Sequence, residues 1–486
     1  MRPSRYSWLL LLLVTFSAAQ LSAHVGSKDI FEELHAGPYK VYITIRPPIV
    51  IPGVAAVEVR TIGTPVEGID ATPVPMTGEA SKHPPTSDTL VRSKDDPNFF
   101  TGSLWLMAQG SWEVKLRIHG RMGQNTVAVP VPAAAITNLK MQRGLAILLI
   151  ALGLFLVAGL AGIVGASVRE SRLAPDANPT ATQRRGATLS VVLTLGLIGF
   201  LLWRADLWWD VEAAAASMKL YRPLAMRPVL RGDSLQLKIG IPDNGEEALA
   251  PSNRDFIPDH GKIMHLYAIR EPQMDAVFHL HPVLAGSEFD LQLPKMPPGR
   301  YELYGDVVHA NGFAETLLTK LDVPPDLRGT PLATDDAEGE PAPLSQGLLG
   351  NRYRLPDGYT MLWDAPPSPV ANTAYTMHFR LLDPKGADPT DMQLYLGMTG
   401  HAAFVKTDGT VFAHVHPDGS AAMASMMLAN GGSDDSMAGM NMPAMEPVSN
   451  AVDFPYGFPS AGRYRVFVQM KHGATVETGV FDTEVR

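Results

Sequence analysis

Eight of the 14 histidines in this 486-residue chain form two sets with matching spacing. Each set has a His-X-His-Pro segment, which ends at Pro282 in the first set and at Pro417 in the second. An earlier histidine precedes each segment, and a later one lies eight residues beyond the tyrosine of a Gly-Arg-Tyr sequence. The sets are His265, His279, His281 and His309, and His401, His414, His416 and His472. This self-similarity indicates two copies of one structural unit.

The spacing within each segment suits metal binding. Alternate residues of a β-strand point to the same side, so His279 with His281, and His414 with His416, can present two imidazoles to one ion. The proline would place each pair near a sheet rim, where ligands from other strands can approach. Imidazole suits copper and zinc. The alternative is a hydrogen-bonded histidine network, or plain surface residues.

Methionines favour copper over zinc, because thioethers select Cu(I). Met264 and Met398 lie just before the first histidine of each copy, either as soft ligands or as core fillers. A second group forms a tract rich in Gly, Ser, Asn and Asp, where the alternative is an insertion with incidental methionines. The tract holds Met423, Met426, Met427, Met437, Met440, Met442 and Met445.

The N-terminus offers a separate candidate ligand. Arg2 and Arg5, an apolar stretch and a small-residue segment predict a signal peptide over residues 1–23. Cleavage there would expose His24, whose α-amino group and imidazole could chelate Cu(II), with His119 as a speculative partner. Cleavage after Ala19 and an uncleaved anchor are the alternatives.

Composition excludes several classes of protein. The chain has no cysteine, so disulfides, thiolate zinc sites and iron–sulfur clusters are excluded. The net charge is -9, and no stretch of Lys and Arg residues is interleaved with aromatic residues as in a nucleic-acid-binding groove. A nucleic-acid partner is therefore not expected. No nucleophile elbow or phosphate-binding glycine loop stands out, so we expect no enzyme.

Two apolar stretches predict a transmembrane hairpin over residues 139–205, with helices at 144–168 and 187–203. The connecting loop, residues 169–186, is rich in arginine and is expected in the cytoplasm. Both flanking regions would then lie outside it. The arginines are Arg169, Arg172, Arg184 and Arg185.

The remaining regions read as β-structure, because short β-type runs alternate with Pro and Gly. An N-terminal antiparallel sandwich is predicted for residues 24–138, and further β-rich regions for 218–323 and 351–486. Residues 324–350 are rich in proline and acidic residues, and are expected to be a linker.

The sequences around His24, Ala36-Gly37-Pro38-Tyr39, Gly261 to Leu266 and both His-X-His-Pro segments resemble a group of bacterial membrane proteins, some described as YtkA-like domain proteins. The resemblance covers nearly the whole chain. It implies mainly β architecture, with immunoglobulin-like β-sandwich domains, one N-terminal and two tandem C-terminal, in the periplasm. The methionine tract is also similar in composition to copper-resistance proteins of the envelope.

These observations together predict a protein of the inner membrane that binds, buffers or transfers copper in the periplasm, with zinc as the less favoured ion. The lipid bilayer and the metal ion are the expected partners. The first alternative is an envelope scaffold that binds a protein partner without any metal. The second is a copper oxidase that uses an N-terminal histidine.

Overall fold

The described part of the chain folds into three β-sandwich modules and one pair of long helices. The computed structural model describes residues 29–171, 173–174, 177–241, 255–432 and 447–486. The predicted architecture, mainly β with a hairpin of two apolar helices between the N- and C-terminal sheet regions, is confirmed.

The N-terminal module is a sandwich of two antiparallel sheets, ordered β1-β2-β3-β7-β6 and β5-β4-β8-β9. Alternating apolar residues of both sheets, such as Ile43, Val57, Val114 and Val129, fill the core between them. A short 3-10 helix spans Glu79–Lys82. The strands are β1 (Ile30–Ala36), β2 (Tyr39–Arg46), β3 (Gly53–Ile62), β4 (Gly68–Pro75), β5 (Asp88–Thr89), β6 (Val91–Arg92), β7 (Phe99–Leu106), β8 (Gly110–Gly120) and β9 (Gly123–Ala133).

Helices α1 (Arg143–Glu170) and α2 (Ala181–Met218) are both long and apolar enough to cross a membrane, which suggests membrane association. They run antiparallel, since Gly165 lies beside Val191 and Gly186 beside Val168. Most of their large apolar side chains are exposed, as lipid-facing residues would be.

The hairpin begins and ends at the same place on the N-terminal module. The backbone N–H of Tyr221 donates to the carbonyl of Ala135 at 2.8 Å, and Gln109 Nε2 donates to the carbonyl of Lys219 at 2.8 Å. The chain therefore returns, after both helices, to the module that it left.

Two further modules follow, which we call the first and second repeats. In the first repeat the strands are β10 (Ala225–Arg231), β11 (Ser234–Gly240), β12 (Phe256–Ile257), β13 (His265–Arg270), β14 (Val277–Leu280), β15 (Val283–Ala285), β16 (Glu288–Gln292), β17 (Gly299–His309), β18 (Ala314–Val323) and β19 (Ala337–Gly339). In the second they are β20 (Arg352–Arg354), β21 (Thr360–Asp364), β22 (Ala374–Leu382), β23 (Met392–Gln393), β24 (His401–Lys406), β25 (Phe412–Val415), β26 (Ala451–Gly457), β27 (Gly462–His472) and β28 (Thr475–Val485), with the short helix α3 at Met423–Ala429.

The repeats share a sheet order. The sheets that hold the histidines have the order β12-β17-β13-β14 in the first repeat and β23-β27-β24-β25 in the second, with β18 and β28 pairing on β17 and β27. The region expected to be a linker contributes more than a connection, because β19 pairs with β14 and a 3-10 helix spans Leu344–Gln346.

The histidine-bearing sheets of the repeats pack face to face. Within β13 and β14, Leu266 and Phe278 face the core of their own repeat, whereas the alternate residues Tyr267 and Val277 face the other repeat. Tyr304 of the first repeat stacks on Phe412 of the second, with ring centroids 4.2 Å apart. This inter-repeat face is the surface at whose end the histidines lie.

The N-terminal module is joined to the second repeat by β1. Phe31 is fully buried in the second repeat's core, edge-on to Tyr456 at 5.9 Å, while its neighbour Ile30 lies in the N-terminal core. Backbone bonds between Phe31 and Ser420, and between Glu33 and Asp418, extend this contact to the turn after His416.

We predict that Phe31→Ala destabilises the chain by about 3–5 kcal/mol, because it opens a cavity where two modules meet. Thermal unfolding of the full chain in detergent would measure the change. Val91→Ala is the control, since Val91 is 69% exposed. Equal melting temperatures for the two variants would contradict the role of Phe31.

Candidate metal centre

Strand register brings three histidines of the first repeat together. Tyr267 on β13 pairs with His279 on β14, so His265, two residues before Tyr267, lies beside His281, two residues after His279. Donor nitrogens of His265, His279 and His281 all lie within 4.8 Å of one another. We call these three residues the first triad.

The second repeat repeats this geometry. Ala403 on β24 pairs with His414 on β25, which places His401 beside His416. Donor nitrogens of His401, His414 and His416, the second triad, also lie within 4.8 Å of one another. The alternation expected of the His-X-His segments is therefore present in both copies.

The two triads adjoin across the inter-repeat face. The ring centroids of His265 and His414 are 5.2 Å apart, those of His279 and His414 5.5 Å, and those of His265 and His401 6.2 Å. Because each repeat contributes one triad to the same place, the six histidines form a single cluster.

A seventh histidine, His260, extends the cluster. Its ring lies 4.8 Å from that of His416 and 5.3 Å from that of His401, so a residue of the first repeat touches the second triad. Asp259, His260 and His416 form a further group of close donors. Sequence comparison of the repeats missed His260, because Leu396 stands at the equivalent turn position. Both residues have positive φ, of 52° and 49°.

Hydrogen bonds fix the proton positions in the first triad. His265 Nε2 lies 3.0 Å from the carbonyl of Asp259, which can only accept, so Nε2 carries the proton. The Tyr395 hydroxyl donates to the carbonyl of Asp335, so its oxygen and Gln469 Oε1 accept from His279 Nδ1. His281 Nδ1 donates to Asp336 at 2.9 Å.

The remaining nitrogens of the first triad therefore hold lone pairs that point at one another. His265 Nδ1 and His279 Nε2 are only 3.1 Å apart, and His281 Nε2 is buried without a hydrogen-bond partner among the described residues. Facing lone pairs repel unless a proton or a metal ion lies between them. With metal–nitrogen bonds of about 2.0–2.1 Å, one ion could bond both nitrogens.

Burial argues against a proton. It is the largest cause that lowers the pKa of His265 and of His279 well below the usual value, and the neighbouring His281 adds to it. Burial also lowers the pKa of His281, against the opposing hydrogen bond to Asp336. Neutral imidazoles are the form that binds metal ions.

The second triad has the same character. His401 Nδ1 and His414 Nε2 are 3.1 Å apart, and Asp306 Oδ2 lies 3.2 Å from His414 Nδ1. His401 Nε2 and both nitrogens of His416 are buried without partners among the described residues. Burial lowers the pKa of His416 to about 3, so its ring is neutral.

An apolar cavity of about 240 Å³ reaches the cluster where the three modules meet. Pro47, Pro132, Ile136 and Phe313 are among its apolar wall residues. Its polar side carries His265, His414, His416, Asp259 and Asp306.

A second cavity, of about 270 Å³, is also lined by His416. Met423, Met426 and Met427, on or at the start of α3, line it together with His416 and Glu32. Three methionines of the predicted tract thus line the same cavity as a triad histidine. Met437, Met440, Met442 and Met445 lie outside the described residues.

The structure does not bring His309 and His472 into the triads, so the expected four-histidine sets do not form, but His472 belongs to a separate group of close donors with Asp357 and Glu477 that could hold a metal ion. The even offset does put His309 on the same face as Tyr301, and His472 on the same face as Tyr464. That face is each repeat's own core, however, whereas the triads lie on the opposite, inter-repeat face.

The two later histidines instead join strands through carboxylates. His309 bonds Asp255 and Glu315, both at 2.8 Å. His472 lies 3.4 Å from Asp391 and 3.3 Å from Glu477, and Asp357 is an additional neighbour at 3.2 Å.

The other predicted ligands have mixed outcomes. Met264 packs in the core of the first repeat, where its sulfur faces Gly305, so it is a core residue. Met398 is buried in the turn with Tyr395, at the position of Lys262 in the first repeat. His24 lies outside the described residues, and His119 is on β8 of the N-terminal module.

Comparison with known proteins does not indicate a function for the chain. A family model described as a domain of unknown function, DUF8832, matches residues 354–486, and no curated protein matches the chain. Of the solved structures, a 1.5-MDa bacterial ice-binding adhesin is 7% identical with a TM-score of 0.16, over 93% of this chain and 99% of its own. Salmonella alpha-2-macroglobulin is 7% identical with a TM-score of 0.21, over 93% and 24%. Invasin, a bacterial integrin-binding protein, is 9% identical with a TM-score of 0.14, over 92% and 60%. With TM-scores this low, these likenesses carry no argument about fold or function.

The bonds of His309 to Asp255 and Glu315 should make the free energy of unfolding depend on pH. Burial lowers the pKa of His309, but the bonds to Glu315 and Asp255 raise it more, so its net pKa is above 6.5. Its contribution to stability is then complete below about pH 6.5 and is lost as the pH rises through the raised pKa. We predict that His309→Asn costs about 2–3 kcal/mol at low pH and less at high pH.

Melting temperatures of the full chain and of the variant, measured from about pH 6 to about pH 10, would check this. His83→Asn is the control, because the His83 side chain is 78% exposed. A difference in melting temperature between the wild-type chain and His309→Asn that stays constant over this range would contradict a charged His309 bonded to the two carboxylates.

Proposed function

We propose that this chain is a membrane-anchored copper-binding protein of the bacterial envelope, whose ions are bound by the two triads. The observation that carries the proposal is the pair of facing lone pairs, on His265 Nδ1 and His279 Nε2, at 3.1 Å. Their proton positions follow from the carbonyl and hydroxyl partners of the same two rings. A metal ion turns this repulsion into two bonds.

The shell around the triads supports a metal role. Metal-binding histidines usually give their second N–H to a carboxylate or a carbonyl, which fixes the ring. Asp259, Asp336 and Gln469 do this for the first triad. Asp306 lies in the corresponding place beside His414 in the second.

Copper is favoured over zinc by the methionines. Imidazole binds both metals, but thioethers select Cu(I). The cavity lined by Met423, Met426 and Met427 opens onto His416, so a soft ion could pass from sulfur to nitrogen ligands.

The anchor and its surroundings support the cellular location. Two helices long enough to span a membrane leave and re-enter the N-terminal module at adjoining residues, which favours one side for all three modules. The arginine-rich loop between the helices favours the cytoplasm for the opposite side. The periplasm is then the proposed location of the copper centre.

Copper titration of the full chain in detergent tests the proposal. The wild-type chain should retain copper against a competing chelator, and the double variant His279→Ala, His281→Ala should retain about half as much, because the second triad remains intact. His378→Ala, an exposed histidine of the second repeat bonded to Asp453, should match the wild type. Failure of the wild-type chain to retain copper, or unchanged retention in the double variant, would reject the proposal.

The methionine-lined cavity gives a second prediction. Replacing Met423, Met426 and Met427 by leucine keeps the apolar volume but removes the thioethers. We expect slower Cu(I) loading and an unchanged final copper content, measured by stopped-flow competition with a Cu(I) chelator. Zn(II) loading is the control. Equal slowing of both ions would show that the leucines obstruct the path and that thioether binding plays no part.

A further inference from the structure

We propose that the two triads hold two copper ions as one dinuclear centre, and that this centre binds dioxygen between the ions. The inference rests on the copper binding proposed above and goes beyond it, because it assigns the ions a reaction. It also makes them resident in the protein, in contrast to ions held for transfer.

The two triads are geometrically equivalent. In the first, ring centroids are 5.3, 5.1 and 4.6 Å apart. In the second, the matching distances are 5.4, 5.1 and 4.6 Å. Two sets with the same three donors in the same arrangement would give two ions the same coordination, which suits a pair that acts together.

The triads are also separate yet adjacent. Donor nitrogens converge within each triad, which indicates two ion positions. Rings of different triads are 5.2–6.2 Å apart, close to the spacing within a triad. Two ions would therefore lie side by side, near enough to be bridged by one small ligand.

Three imidazoles leave a metal ion with an open coordination position, as catalytic sites require. Four of the ligands lie within strands β13, β14, β24 and β25, and His281 and His416 directly follow β14 and β25. Their side chains are almost wholly buried. An ion in such a rigid, buried site is poorly placed for exchange with another protein. It is well placed to react with a molecule that comes to it.

The apolar cavity indicates what that molecule is. Most of its lining is apolar, from proline, isoleucine, valine and phenylalanine side chains, whereas Asp259, Asp306 and Glu315 lie with His265, His414 and His416 on its polar side. Such walls favour a small uncharged molecule over an ion or a sugar. Dioxygen fits this description and is a ligand that a pair of Cu(I) ions can reduce.

The reaction balances without another reactant. Each Cu(I) ion gives one electron, so dioxygen becomes peroxide and both ions become Cu(II). The π bond of dioxygen is lost, copper–oxygen bonds to both ions form, and no proton is transferred. The neutral triads themselves need not change protonation.

The test uses the full chain in detergent, loaded with Cu(I) under anaerobic conditions and then exposed to dioxygen. We expect two copper ions per chain and uptake of one dioxygen per two copper ions. The product should give almost no Cu(II) EPR signal, because bridged Cu(II) ions couple, and an O–O stretch that shifts with ¹⁸O₂ in resonance Raman spectra.

Variants at matched positions separate the two triads. His281→Ala and His416→Ala should each retain one copper ion per chain, take up no dioxygen as a bridged pair and show a full Cu(II) EPR signal after oxidation. His378→Ala should behave as the wild type. Should either triad variant fail to fold, the stoichiometry, EPR signal and oxygen uptake of the wild-type chain still decide the matter.

Two results would overturn the inference. Retention of one copper ion per chain would exclude a pair. Two ions with uncoupled Cu(II) signals and no oxygen uptake would exclude a bridged centre. Both results leave copper binding intact, whereas a chain that retains no copper would reject the proposed function as well.

Discussion

The face-to-face packing of the two repeats is the contact on which the histidine centre depends. Each repeat alone places three imidazoles at a sheet rim. The packing of Tyr267, Tyr304 and Phe412 between the sheets brings both triads to one point and buries them. The contact is anchored by Arg465, which is fully buried, bonds Asp482 at 2.8 Å and donates to the carbonyl of Met274 in the first repeat at 2.9 Å.

This packing also sets the electrostatics of the centre. A buried donor or acceptor without a partner costs about 1–3 kcal/mol, and the triads hold several such nitrogens. Burial removes the usual remedy, which is protonation, because it lowers the pKa of each ring. A fold that gathers neutral imidazoles at this cost is organised for a cation. The carboxyl groups of Asp259, which is buried, and of Asp306, which is partly buried, lie where they could balance the charge.

Local sequence patterns predicted the repeats and the pairing within each triad, because strand alternation is a local property. His279 and His281 face one way for the same reason that Tyr267 and Ile269 do. The choice between the two faces of the sheet is not local. Apolar residues occupy both faces of β13 and β24, so the sequence held no sign that one face covers the repeat's own core and the other covers the partner repeat. Because the two faces could not be told apart, His309 and His472 were predicted to join the triad histidines, and the contact between the two triads was not predicted. His260 was missed because it has no counterpart in the second repeat.

The N-terminal module contacts the turn beside the centre in a way that explains the position of the helical hairpin. Strand β1 shares its side chains between two cores, with Ile30 in one and Phe31 in the other, and its backbone holds the turn that follows His416. The chain must therefore return to this module after both helices, and the bond from Tyr221 to Ala135 marks that return. A single spanning helix would leave the repeats on the opposite side of the bilayer from β1. If the helices cross a membrane, the packing around the turn after His416 requires an even number of crossings between β1 and the repeats, which two helices satisfy.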